Sequence, residues 1–585
     1  MTDTSSSSAR GAFTFVLHGH LPYVLTHGTW PHGSDMLFEC AAESYLPLLD
    51  TFGRLIAEGI SPKVTLGITP VLAEQLADPA FKHQFVDYLD MRVRTAAENI
   101  EDFKQSKEAQ LADLAEMWRK HFLQAKESFL DNHGADLIAG FRALQDDGHI
   151  EIITSAATHG YLPLLGTDES VQAQVKQAVS SYRHHFGRRP RGFWLPECAY
   201  RPRYAWASPL PDSGPQQPHL RKGVEEFLAE NGLQYFIVDT ATLLGGAAKG
   251  VYLERFAGLQ HLWEQFRASY SPGPVDVEKS PYEAYLVSSA IEDRPPVAVF
   301  GRDERTGVQV WSGDHGYPGD GWYLDFHKKH FPGGHRYWRV TAPNSDMGDK
   351  ERYEPHRAAE RVPENADHFS HLVHELLTRY NADTDRYGIL CAPYDTELFG
   401  HWWFEGPEWL YRTLKGISSN PAVDLVTCSE YLEAHTPEAA VALPESSWGQ
   451  GGFHWVWLNE WTTWIWQHAY RDEAEFPQLA RQALESQDEK LREIVTQAAR
   501  ELLLLESSDW PFLISTWSAR DYAERRAAFH HDTFERLVSM ARSRAAGAEI
   551  TADDEQFLAE CKQRDSLFPD LDLTWWAHLE RPPEP

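Results

Sequence analysis

The feature that most constrains this chain is a recurring unit. A short apolar run of strand length ends abruptly in charged or polar residues and is followed by a helical pattern. Such strands are predicted at 13–17, 63–68, 150–154, 192–195, 235–238, 297–302 and 387–392, with a last short one at 423–427. Helical periodicity falls between them, at 38–59, 171–186, 220–231, 368–380 and 408–416. Strands that alternate with helices pair in parallel. Seven or eight such units close into an α/β barrel whose reactive groups collect at the C-terminal strand ends. Two stretches break the rhythm. Residues 71–146 are helical throughout, which predicts a helical insertion, and from about 431 only helices are visible apart from a Gly/Trp-rich loop at 446–456. The reading is therefore a polar tail at 1–10, a catalytic barrel at 11–430 and an all-helical C-terminal domain at 431–585.

Composition excludes several function classes. With 86 acidic and 54 basic side chains the net charge is −32, a surface that repels phosphate backbones and anionic lipids. Nucleic acid and membrane are therefore poor partners, and no run approaches the ~20 apolar residues of a membrane helix. Five scattered cysteines, none in a CxxC pair, argue against a disulfide framework or zinc knuckle and fit a reducing cytoplasm. The 21 tryptophans stand out because many lie among polar residues, as at Trp402-Trp403 and from Trp455 to Trp466. A carbohydrate groove needs that mixture, flat faces for sugar C–H surfaces and polar neighbours for hydroxyls. A Trp-rich core would use the same residues.

Two carboxylates directly follow predicted strands. Glu197 lies in WLPECAY (194–200) and Asp395 in YDTELFGHWWFEGPEWL (394–410). Glycoside cleavage with retention needs a nucleophile and an acid/base roughly 5–5.5 Å apart. Either residue could instead cap the following helix. His18 and His20 form an HxH at the end of the first strand, where metal-dependent barrels carry ligands and others bind substrate. His159, His401 and Asp239 could complete a metal site. Cys198 has no nucleophile's histidine beside it, and the Gly449–Gly452 run lacks phosphate-loop spacing.

With these residues on the page the chain resembles glycoside hydrolase family 57, and within it the glycogen-branching subgroup, from residue 13 to about 522. HGHLPY (18–23), GHIEII (148–153), WLPECAY and YDTELFGHWWFEGPEWL occur in order, as do FGRD (300–303), GYPGD (316–320), VWLN (456–459) and SSDWPF (507–512). The resemblance implies a (β/α)7 barrel with a helical insertion, Glu197 as nucleophile and Asp395 as proton donor. It implies sugar contacts by His18, His20, Arg302, Trp311, Gly319, Trp457, Trp466 and Asp509, with no metal or organic cofactor. The implied activity is branching of an α-1,4-glucan such as amylose or glycogen, with hydrolysis or 4-α-glucanotransfer as the alternative on the same scaffold. Two departures matter. The subgroup carries Gly-Gln shortly after SSDWPF, where this chain has Trp517-Ser518. The region 243–281 is longer than in relatives. In them a loop here holds a tyrosine that favours transfer over hydrolysis. Tyr270 is the best match for it and Tyr252 the alternative.

Overall fold

The computed structural model describes residues 9–245, 256–269, 278–287, 295–312 and 315–580. Seven parallel strands form the barrel: β1 (Gly11–Gly19), β2 (Val64–Ile68), β3 (Ile150–Ser155), β4 (Gly192–Trp194), β5 (Tyr235–Val238), β6 (Ala298–Gly301) and β7 (Gly388–Asp395). Each pairs in parallel with the next from β1 to β6, and β7 pairs with β1 along the whole of its length. A parallel bridge from Arg302, just past β6, to Cys391 of β7 closes the ring. All nine residues of β1 are buried, which is why it reads as a continuous apolar run and not as an alternation.

The choice between seven and eight strands resolves as seven. The last predicted strand exists as Val423–Leu425, but it pairs only with the first residues of β1, before β2 begins to do so. The short strand Ala284–Val287 runs antiparallel to β6 and was not read from the sequence. A two-residue strand, Ala440–Val441, pairs with it, so the region beyond 431 is not purely helical and loop.

The helices also refine the reading. The run after β1 is Ser34–Cys40, a π-turn at Ala41–Tyr45, then Leu46–Ala57. Such π-turns recur at functional sites. The helix read at 368–380 is really Pro355–Thr384, with Pro363 inside it. A proline costs an interior hydrogen bond, which suppressed the sequence signal for its first turns. Between β2 and β3 the two long helices Pro79–Gln105 and Ala109–Glu127 pack on each other. Phe81, Phe85, Trp118 and Phe122 between them are fully buried. At the C-terminal end, Thr463–Glu485, Glu489–Leu505 and Arg520–Ala545 pack around Ile494, Leu502, Phe534 and Leu537. The short helix Asp509–Ser515 leaves this bundle and reaches back to the barrel mouth. Among the described residues no helix is long and apolar enough to cross a membrane.

Candidate active site

Residues that follow β1, β3, β4, β6 and β7 line one cavity of about 590 Å³. Its wall holds His18, His20, His159, Glu197, Arg302, Asp395 and Glu397, with Trp311, Trp402, Trp448 and Trp457, and with Asp509 and Phe512 from the C-terminal helices. That mixture of convergent polar groups and aromatics is what a sugar-binding cleft requires.

Glu197 enters the cavity from a backbone that ordinary residues avoid. After β4, Pro196 starts a single 3-10 turn, in which Glu197 has φ 60 and ψ 26, and Cys198 follows at φ 47. Two successive left-handed residues with β-carbons are strained, and strain of this kind persists where surrounding contacts over-determine it. Here the Glu197 carbonyl accepts from the Trp448 backbone N–H at 3.1 Å. The Trp448 indole N–H donates to Glu197 Oε2 at 2.7 Å, and the Ser508 hydroxyl reaches Oε1 at 3.5 Å. Burial pushes the Glu197 carboxyl up to about 8. The Trp448 bond opposes that rise, and the charge of Asp395 adds to it.

Asp395 ends β7, in register with His18 of β1. Burial pushes it up to about 7, against the pull of His20 and Arg302. Glu397, two residues on, is also buried and pushed up to about 8, first by burial and then by Asp395. Its Oε1 accepts from the His20 backbone N–H at 3.0 Å and from the Tyr45 hydroxyl at 2.5 Å. The π-turn places Tyr45 there.

The three histidines form a stacked, hydrogen-bonded column. His18 lies flat on Trp194, ring centres 4.6 Å apart, and His20 on His159 at 3.9 Å. His18 Nε2 meets His159 Nε2 at 3.1 Å, and His159 Nδ1 meets Ser508 Oγ at 2.7 Å. Burial holds both rings well below the usual histidine range, so both are neutral near pH 7. One assignment satisfies every contact: His18 Nε2–H donates to His159, His159 Nδ1–H donates to Ser508, and the Ser508 O–H points at Glu197. His20 Nε2 pairs with Asp509 at 3.0 Å and its Nδ1 with Thr69 Oγ1 at 3.1 Å. Of the groups that could hold a metal, His20, His159 and Asp509 lie nearest the cavity, with ligand-type atoms within 4.8 Å of one another. Each of those atoms also has a protein hydrogen-bond partner.

The structure brings His18, His20, Arg302, Trp311 and Asp509 to the cavity with both carboxylates. Arg302 Nε and Trp311 Nε1 are buried, with no hydrogen-bond partner among the described residues. Three of the expected residues lie deeper or farther from the cavity. Trp466 is buried beneath the wall, its indole N–H donating to the Trp457 carbonyl at 2.8 Å. Gly319 ends a short turn, Tyr317–Gly319, that does not line the cavity. Trp457 borders the cavity but is fully buried and stacked on Tyr161 at 4.6 Å, so its ring has no open face for a sugar. The most open aromatic rings at the cavity are Trp402 and Phe512, with Trp311 and Trp448 half-buried beside them. Tyr270 and its alternative Tyr252 lie outside the described residues. Trp448, Ser508 and Glu397 were missed as individuals, although each sits inside a loop or motif that the sequence had marked.

Comparison with known proteins agrees with this geometry. Residues 14–444 match the profile of Glycosyl hydrolase family 57, and residues 468–576 match the profile described as 1,4-alpha-glucan branching enzyme, C-terminal. A 1,4-alpha-glucan branching enzyme of Thermococcus kodakarensis is 41% identical over 98% of this chain and 80% of its own length. A probable 1,4-alpha-glucan branching enzyme of Mycobacterium tuberculosis is 31% identical over 97% of this chain and 99% of its own. Among solved structures, the GH57-type branching enzyme of Pyrococcus horikoshii superposes with a TM-score of 0.86 at 39% identity, over 98% of each chain. The alpha-amylase AmyC of Thermotoga maritima does so with 0.78 at 28% identity, over 98% of this chain and 100% of its own. A seven-stranded barrel with two buried carboxylates at its mouth, and a family match that spans most of the sequence, lead to one conclusion: the chain belongs to glycosyl hydrolase family 57.

Proposed function

We propose that this protein is a retaining 1,4-α-glucan branching enzyme, with Glu197 as nucleophile and Asp395 as general acid/base. The observation that carries the reading is that these two carboxyls, one just after β4 and one at the end of β7, lie at the same end of one closed barrel and share one tryptophan-walled cavity. In the first step a Glu197 oxygen attacks C1 of a glucose unit. The C1–O4 bond breaks, and Asp395 gives its proton to the departing O4. In the second step Asp395 takes the proton of an acceptor 6-OH, that oxygen bonds to C1, and the Glu197 carboxylate leaves.

This chemistry needs one proton on the pair. Below both pKa values no nucleophile exists, and above both no acid remains, so activity is bell-shaped around neutrality. Taken alone, burial makes Glu197 the weaker acid, the reverse of the order required. The two donors aimed at Glu197 temper that rise without reversing it, and the pair titrates as a unit, the active form being the one with the charge on Glu197 and the proton on Asp395. Within this reading Tyr270 is the proposed gate against water, and Arg302, Trp311, His20 and Asp509 hold the sugar at the site of cleavage. Residues beyond about 431 contribute Trp448 and Asp509 to the groove, so the helical C-terminal part is proposed to complete the site. Five free, buried cysteines suit a cytoplasmic setting. The test is incubation with amylose, followed by debranching and chain-length analysis. New α-1,6 linkages are expected. Reducing ends without them would favour the hydrolase reading.

A further inference from the structure

One exposed tryptophan is explained neither by packing nor by backbone preference. Helix Asp509–Ser515 presents Asp509 and Phe512 to the catalytic cavity, and Thr516 follows on the same wall. The next residue, Trp517, adopts φ 59, a left-handed conformation that a residue with a β-carbon resists. Its ring is not buried in return: 62% of Trp517 is exposed. An observed outlier of this kind points toward function.

Trp517 lines a second concavity and follows directly on a residue of the first. Thr516 lines the catalytic cavity, and Trp517 and Ser518 line a neighbouring groove of about 800 Å³. The same groove is lined by Trp30, 69% exposed, with Thr26 and Arg525 among its polar members. The Trp517 ring is also held in place. The Arg520 guanidinium sits 4.5 Å from its centre and is itself fixed by Glu524 at 2.8 Å. Trp461 meets it edgewise at 6.0 Å, and Thr516 and Ser518 join hydroxyls at 2.8 Å across its base. An exposed indole that is already oriented loses little freedom on binding, and it offers a flat face of the size of a sugar ring. Hydroxyls and guanidinium groups around it can serve the sugar's hydroxyls.

We propose that Trp517 is a substrate-positioning residue that stacks on a glucose unit of an α-1,4-glucan and leads the chain between the catalytic cavity and the adjoining groove. This rests on the glucan-acting reading above. The reason is adjacency: a polymer seated at Glu197 and Asp395 has to leave the cavity, and the segment Phe512–Thr516–Trp517 carries the cavity wall on to the lining of a second polar, aromatic-walled groove.

The experiment uses the full chain carrying Glu197→Gln, so that the polymer stays intact. Affinity electrophoresis through gels containing amylose gives Kd for this parent and for Trp517→Gly and Trp517→Phe on it, and maltotriose serves as a probe short enough for the cavity alone. Glycine suits the left-handed backbone, so the melting temperature of Trp517→Gly should equal or exceed the parent's. Its Kd for amylose should rise about fivefold to tenfold, with a smaller rise for maltotriose, and phenylalanine should restore most of the loss. An amylose Kd within about a factor of two of the parent overturns the proposal. So does a fall in melting temperature with equal loss for both probes, which would make the ring structural. If the unmutated enzyme forms no α-1,6 linkages while Trp517→Gly still weakens amylose binding, the branching reading fails and the platform stands.

Discussion

Trp448→Phe isolates the electrostatic support of the nucleophile. Phenylalanine keeps an aromatic ring edge-on to Trp194, which the indole meets at 5.3 Å and 68°, and it leaves the backbone bond to the Glu197 carbonyl intact. What goes is a 2.7 Å N–H···O bond to Glu197 Oε2. Only 14% of the Glu197 side chain is exposed, so solvent replaces that donor poorly. A hydrogen bond to a charged group contributes about 1.5–3 kcal/mol, equivalent to roughly 1–2 pK units. The sign follows from which form the donor favours. It stabilises the carboxylate, so its loss raises the Glu197 pKa. Activity needs that carboxylate, so the acid limb of the pH profile moves to higher pH by about 1–2 units. The alkaline limb, set by the Asp395 proton, moves little, the active window narrows from its acid side, and peak kcat/KM falls about tenfold. The assay is initial-rate branching on amylose across about pH 5–9, with melting temperature as a control on folding. An acid limb that stays in place, or moves to lower pH, refutes the reasoning.

Three further outcomes are expected. Ser508→Ala removes a longer, 3.5 Å contact, so it should move the acid limb in the same direction as Trp448→Phe but by less, checked by the same profile. Trp457→Ala should act on folding: the ring is fully buried against Tyr161, and its loss should destabilise by about 3–5 kcal/mol, read from denaturant unfolding. Unchanged stability with weakened glucan affinity would restore the stacking role first expected of it. Tyr270→Ala should lower α-1,6 linkage formation while amylose hydrolysis persists, measured by debranching beside reducing-end release, and an equal fall in both would move attention to Tyr252.

How much of this was legible in the sequence depended on distance along the chain. The barrel strands were readable because strands buried on both faces leave apolar runs, and the active carboxylates were readable because they stop those runs. The point of closure was not: the Arg302–Cys391 bridge joins residues far apart in sequence that no local pattern links. The support of Glu197 was equally hidden. Trp448 lies 251 residues from it and Ser508 lies 311, so nothing near WLPECAY announces either. His18 and His159 are separated by 141 residues, and a lone HxH looks the same whether it binds a metal or builds a hydrogen-bonded column. The packing of Trp466 and Trp457 was hidden for a different reason. Polar neighbours in sequence suggested a groove, yet the helix beginning at Thr463 turns Trp466 inward, and Tyr161 covers Trp457. Glu397 shows the limit of strand logic, because it sits in a 3-10 turn past the end of β7, where side-chain alternation no longer applies.

The central claim is that Glu197 forms a covalent bond to C1 of the glucan, and trapping that intermediate tests it most directly. A fluorinated α-maltosyl donor, whose second step is slowed, is incubated with the enzyme and the protein is digested and analysed by mass spectrometry. The account predicts one glycosyl adduct, on the peptide containing residues 194–200 and at Glu197 within it, lost in Glu197→Gln. An adduct on Asp395 or Glu397, or turnover of the donor with inverted configuration at C1 and no adduct at all, contradicts it.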